Sequence, residues 1–107
     1  MPELKDRPQL KDYQEYVAEL ERERGFEEQS ARDKCLLLGE EVGELFKAVR
    51  KAEGIRIDPA SRVSELEGEL ADIFIYLCAI ANRFDIDLKA AFLKKEAKNK
   101  KRTWVKA

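Results

Sequence analysis

Apolar residues recur at spacings of three and four along most of the chain. Leu10, Tyr13, Val17 and Leu20 form one such stripe, which predicts a first helix from about Arg7 to Arg24. Gly25 stands where it would stop. A second stripe, Leu38, Val42, Leu45 and Val49, predicts a helix from about Ala31 to Glu53, with Gly54 after it. Ser30 suits its N-cap, and Asp33 sits three residues on, in a capping-box position. Asp58 before Pro59 suits the start of a third helix, and Ser64 with Glu67 offers a second start. This helix reaches about Arg83 with Leu66, Leu70, Ile73, Phe74, Leu77, Ile80 and Ala81 inward. From Ile73 to Ala81 it is apolar nearly all round, so two faces should be covered, one of them by another subunit. Asp87 can cap a fourth helix through Ala90, Phe92 and Leu93 to about Arg102. No segment alternates with a period of two. The expectation is an all-α, four-helix bundle-like fold, one domain over residues 1–107.

Composition sharpens this. A chain of 107 residues buries only about 60–70% of its unfolded surface, so association into a dimer or a dimer of dimers is expected. Five glycines and three prolines leave little turn chemistry for a many-stranded sheet fold. The longest apolar run is nine residues, Ile73 to Ala81, against about 20 for a membrane span. The first residues hold no apolar signal core. There is no histidine, which excludes His-dependent triads and His-ligated zinc. Cys35 and Cys78 lie in apolar runs and read, with Phe74 and Tyr76, as core residues of a reduced, cytoplasmic protein. The net charge of −1 hides an asymmetry. Residues 94–106 hold seven Lys or Arg against one Glu, so a basic end is joined to a body of charge −7.

The acidic residues are patterned. Glu40, Glu41 and Glu44 form Glu-Glu-x-x-Glu on the second helix, and Glu69 with Asp72 forms Glu-x-x-Asp on the third. Residues three or four apart share a helix face. At about 100° per residue, Glu41 falls between Leu37 and Leu45, inside the apolar arc. Glu69 falls between Tyr76 and Ile80. Glu44 and Asp72 lie at the arc edges and Glu40 further out. Carboxylates crowded toward a core need a positive partner. Lys or Arg pairing is the plain solution, and Lys34 is within reach. The functional solution is a hard divalent cation, and an all-oxygen ligand set suits Mg²⁺ or Mn²⁺.

The run Leu-Leu-Leu-Gly-Glu-Glu-Val-Gly-Glu-Leu (36–45) and, with 24 residues between Glu44 and Glu69, Glu-Leu-Ala-Asp-Ile (69–73) resembles the MazG-like all-α NTP pyrophosphohydrolases. The likeness spans roughly residues 10–104. It implies Mg²⁺ ligands at Glu41, Glu44, Glu69 and Asp72, with Glu40 either holding a second ion or orienting the attacking water. The tail Lys95-x-x-x-Asn99-x-x-Arg102-x-Trp104 is similar to the substrate-binding end of small family members. Gly25-Phe26 resembles the place where relatives set an aromatic against the base. The implied reaction is NTP plus water to NMP plus pyrophosphate, with clearance of surplus or modified nucleotides as the role.

Three other readings compete. A related bundle fold that hydrolyses phosphoribosyl-ATP uses similar acidic motifs. A non-enzymatic helical interaction protein would explain the two-faced third helix but not carboxylates on two apolar arcs. A nucleic-acid binder acting through residues 94–106 would have to overcome a body of like charge to its ligand. No polymer and no membrane is expected as partner; a nucleoside triphosphate and further copies of the chain are.

Overall fold

Local signals start and stop each helix. The computed structural model describes residues 1–60, 62, 63 and 65–103. These contain α1 (Leu10–Arg24), α2 (Ala31–Ala52), α3 (Leu66–Arg83) and α4 (Leu88–Lys100), and no strand. The expected all-α architecture is what the chain adopts. At α2, Ser30 Oγ accepts the Asp33 N–H at 3.1 Å while Asp33 accepts the Ser30 N–H at 3.1 Å, the reciprocal box expected there. Asp87 caps α4 by accepting the Ala90 N–H at 2.8 Å. α1 ends in a left-handed Gly25 (φ +78°), with the Phe26 N–H donating back to the Glu21 carbonyl at 2.8 Å.

Two helix starts differ from expectation. α1 begins at Leu10 rather than Arg7, because Arg7 precedes a proline and sits at φ +53°, outside the helical region. Gln9 caps the helix instead, its N–H donating to Asp12 at 2.7 Å. α3 begins at Leu66, not at Pro59. Asp58 Oδ1 accepts the Ala60 N–H at 2.9 Å, which closes a local turn two residues long in place of a helical one. The alternative start at Ser64 lies outside the described residues.

α2 packs most extensively on α3, and α1 lies across α3. Val17, Cys78 and Ala79 form the buried centre, flanked by Tyr13, Phe74 and Leu88. Tyr13 and Phe74 meet edge to face at 5.6 Å, so Phe74 joins the core as expected. Cys35 does not, because it lies on the exposed side of α2, next to Lys34, which takes the buried side of that turn. A polar clamp fixes the α3–α4 joint to α1. Buried Gln14 donates to Ile86 O at 2.8 Å and Asn82 Oδ1 at 3.2 Å, and accepts the Leu88 N–H at 2.9 Å. Asn82 donates to Gln14 O at 2.9 Å.

α4 buries none of its residues. Phe92 and Leu93 stay exposed, as do Leu70, Ile75 and Leu77 on α3. Within one chain the fold is thus a three-helix core with a projecting fourth helix, rather than a closed four-helix bundle. The second apolar face of α3 is left uncovered. Among the described residues no helix is long and apolar enough to cross a membrane.

Candidate active site

The packing of α2 on α3 brings the two acidic motifs face to face. One carboxylate oxygen each from Glu41, Glu69 and Asp72 lies within 4.8 Å of the others. Glu69 is only 4% exposed, and its Oε2 is buried with no hydrogen-bond partner among the described residues. The Glu69 carboxylate facing it lifts the Glu41 carboxyl to about 7. Burial adds to this, as do the charges of Glu69, Asp72 and Glu44. This crowding of like charge is what a bound cation would relieve.

The donor set fits a hard cation. It is all oxygen, one oxygen is orphaned, and ligands across one Mg²⁺ stand about 4.2 Å apart, twice the metal–oxygen distance. A span of 4.8 Å needs only a small side-chain adjustment to close on an ion. Glu44 stands outside this trio, half-exposed, 3.8 Å from Lys47 Nζ. Glu40 is exposed on the outer side of α2.

A cavity of about 210 Å³ opens beside the trio, lined by Glu41 and Asp72 together with Phe26, Lys34, Tyr76 and Glu21. Phe26 thus shares one space with the acidic centre. Tyr76, read from sequence as core, is instead a half-buried wall of this cavity. Burial raises its hydroxyl pKa, and Glu41, Asp72 and Glu40 raise it further. The tail residues lie elsewhere. Lys95 and Asn99 line a separate, apolar groove of about 560 Å³ with Leu10, Phe74, Leu77 and Phe92. Arg102 follows the end of α4 and is exposed. Trp104 lies outside the described residues.

The sequence reading missed a buried ionic network that shapes the cavity. Arg83 grips Glu21 with two parallel bonds of 2.8 Å. It also donates to Phe26 O at 3.1 Å, Gln29 O at 2.8 Å and Ala79 O at 2.9 Å. The turn carrying Phe26 is thereby tied to α3. Lys34 Nζ stands 3.2 Å from Glu21 Oε2, so its partner is Glu21 and not the acidic trio. A signal existed for part of this. Glu21 follows Val17 by four residues and Lys34 precedes Glu41 by seven, so both fall on apolar stripes. Arg83, 62 residues from Glu21, gave no such sign.

The sequence has counterparts among known proteins. The chain is 35% identical over 100 residues to dCTP pyrophosphatase 1 of Mus musculus, a match covering 89% of this chain and 59% of that protein. The chain thus spans about three fifths of that relative's length. Residues 29–104, which hold both acidic motifs and the helices that bring them together, match the MazG nucleotide pyrophosphohydrolase domain. A match of that extent, on a helical scaffold with its carboxylates converged, makes the chain a member of the MazG nucleotide pyrophosphohydrolase domain family.

Proposed function

We propose that the protein hydrolyses nucleoside triphosphates to the monophosphate and pyrophosphate with a divalent cation, Mg²⁺ or Mn²⁺, and so removes surplus or modified nucleotides. The observation that carries this reading is the trio Glu41, Glu69 and Asp72, with the partnerless Glu69 Oε2 among them. These residues, joined by Glu44 at the edge, would hold the cation. When bound, it neutralises phosphate charge and lowers the pKa of water near the α-phosphorus. Water attacks the α-phosphorus, the bond from that phosphorus to the bridging oxygen breaks, and pyrophosphate leaves. Glu40 or Glu44, on the outer turn of α2, takes the proton of the attacking water. Phe26 lies against the base.

The name of the mouse relative favours a free deoxynucleotide over phosphoribosyl-ATP, with pyrimidines first. Lys95, Asn99, Arg102 and Trp104 serve the phosphates and sugar. Because Lys95 and Asn99 line a groove away from the acidic trio, they reach a substrate held by another copy. A dimer or dimer of dimers also covers the exposed Leu77 and Phe92.

The test is product analysis with a panel of NTPs and dNTPs in Mg²⁺, Mn²⁺ or EDTA. Monophosphate and pyrophosphate, lost in EDTA, are expected. Orthophosphate and diphosphate would mean that a different bond is cut and would overturn the reading.

A further inference from the structure

Lys34 is the one member of the buried network whose presence the network itself does not require. Glu21 is already matched by Arg83, whose fork makes two bonds of 2.8 Å to both carboxylate oxygens. A second cation beside a carboxylate already paired leaves the cluster with one positive charge in excess. Lys34 is only 5% exposed, so it carries a desolvation cost that its single 3.2 Å contact to Glu21 shares with Arg83. Its ammonium is framed by two rings, 5.0 Å from the Phe26 centroid and 5.6 Å from that of Tyr76. It also lines the cavity of about 210 Å³ beside Glu41 and Asp72. A buried, donor-only group thus lines a small space that two aromatic rings line as well.

We infer that Lys34 is a specificity-determining residue, which donates from the floor of this cavity to a ring carbonyl oxygen of the nucleobase. The inference rests on the nucleotide reading above and deepens it. An ammonium offers three N–H donors and no acceptor. One is directed at Glu21, which leaves donors for an occupant. Cytosine, uracil and thymine present a ring carbonyl, whereas adenine has none. A donor-only group therefore points to carbonyl-bearing bases such as cytosine and uracil over adenine. Glu21 and Arg83 are positioning residues in this scheme, since they hold the ammonium and the Phe26 turn in place.

The experiment compares wild type with Lys34→Met on dCTP, dUTP and dATP under Mg²⁺, reading kcat and KM separately. Losing a hydrogen bond from a charged donor is expected to cost about 10- to 100-fold in kcat/KM for dCTP and dUTP. The loss should fall in KM, with dATP changed less than about threefold. A parallel loss on all three nucleotides, or no loss on any, overturns the role of Lys34 while leaving the hydrolase reading standing. Calorimetric binding of cytidine, uridine and adenosine in EDTA separates the two claims. Were no nucleotide hydrolysed but cytidine and uridine bound through Lys34, the hydrolase reading would fall and the Lys34 assignment would stand. No preference for cytidine or uridine over adenosine in wild type overturns it. Should Lys34→Met not fold, Lys34→Gln replaces it, a neutral amide that still donates to Glu21. The same base-dependent loss, smaller in size, is then expected, and a base-independent one overturns the assignment.

Discussion

Glu69 carries its carboxylate where water does not reach it, and one of its oxygens has no partner among the described residues. A site of this kind sacrifices stability for ligand binding, and the substitution Glu69→Gln separates the two. The amide removes like-charge crowding and can donate to Glu41. The metal-free variant should therefore be more stable than wild type by about 1 kcal/mol. Its thermal transition should no longer rise on addition of Mg²⁺. Denaturation curves with and without the ion check both halves, and an undiminished Mg²⁺ response would remove Glu69 from the ligand set. Glu21 behaves in the opposite sense. Burial pushes its carboxyl up, but the bonds from Arg83 and Lys34 outweigh this and hold it below the usual 4.5. A carboxyl depressed in the folded state contributes stability above its unfolded pKa, and that stability is lost as pH falls through the folded value. Glu21→Gln leaves two buried cations uncompensated and should cost about 3–5 kcal/mol at pH 7. The deficit relative to wild type should shrink as pH falls below about 4.5, where the unfolded carboxyl protonates, and vanish below the depressed folded value. A deficit independent of pH would show that packing, and not charge, is what Glu21 contributes.

At the scale of elements, the joint between α3 and α4 depends on one amide of α1. Gln14 meets the side chain of Asn82, the carbonyl of Ile86 and the N–H of Leu88. It therefore fixes the direction in which α4 leaves the core, and with it the position of Lys95 and Asn99. Gln14→Ala strands these groups, and an unfolding free energy lower by about 2–3 kcal/mol is expected. Hydrogen exchange should show the loss concentrated at the start of α4, because α4 buries none of its own residues to compensate. Uniform loss across α2 and α3 would assign Gln14 to the general core instead. Gly25 plays a similar part between α1 and α2. At φ +78° it turns the chain so that Phe26 and Gln29 present their carbonyls to Arg83. Gly25→Ala should cost about 1 kcal/mol through the left-handed backbone alone.

At the scale of the whole molecule, the exposed apolar surface is the outstanding feature. Leu77 is 44% exposed and Phe92 66%, on neighbouring helices that border one apolar groove of about 560 Å³. The proposed association of copies would cover this surface. Sedimentation at micromolar concentration should give a dimer or tetramer mass, and Leu77→Glu should shift it toward the monomer. A monomeric wild type with full activity would show instead that one chain completes its own site. Because a ligand that binds only the folded state raises stability by mass action, Mg²⁺ should also raise the melting temperature of the wild-type protein in a concentration-dependent way.

What the sequence alone determined is local or periodic in origin. Helix stripes, the Ser30–Asp33 box, the Gly25 stop and the Asp87 cap are set by neighbours within four residues, so spacing and residue type suffice to find them. The acidic motifs were legible for the same reason, since a carboxylate at an apolar phase is visible before any helix meets another. Where a competing local bond intervened, as at Asp58, the cap signal Asp58-Pro59 misplaced one of two candidate helix starts. Tertiary structure alone decided which carboxylates converge, and it joined Glu41 to Glu69 and Asp72 while leaving Glu44 at the edge. It also placed Arg83 on Glu21 across 62 residues and left Cys35 in solvent. These outcomes depend on the rotation and crossing of helices about one another. That is set by the sum of many side-chain contacts, and no single stripe or spacing encodes it.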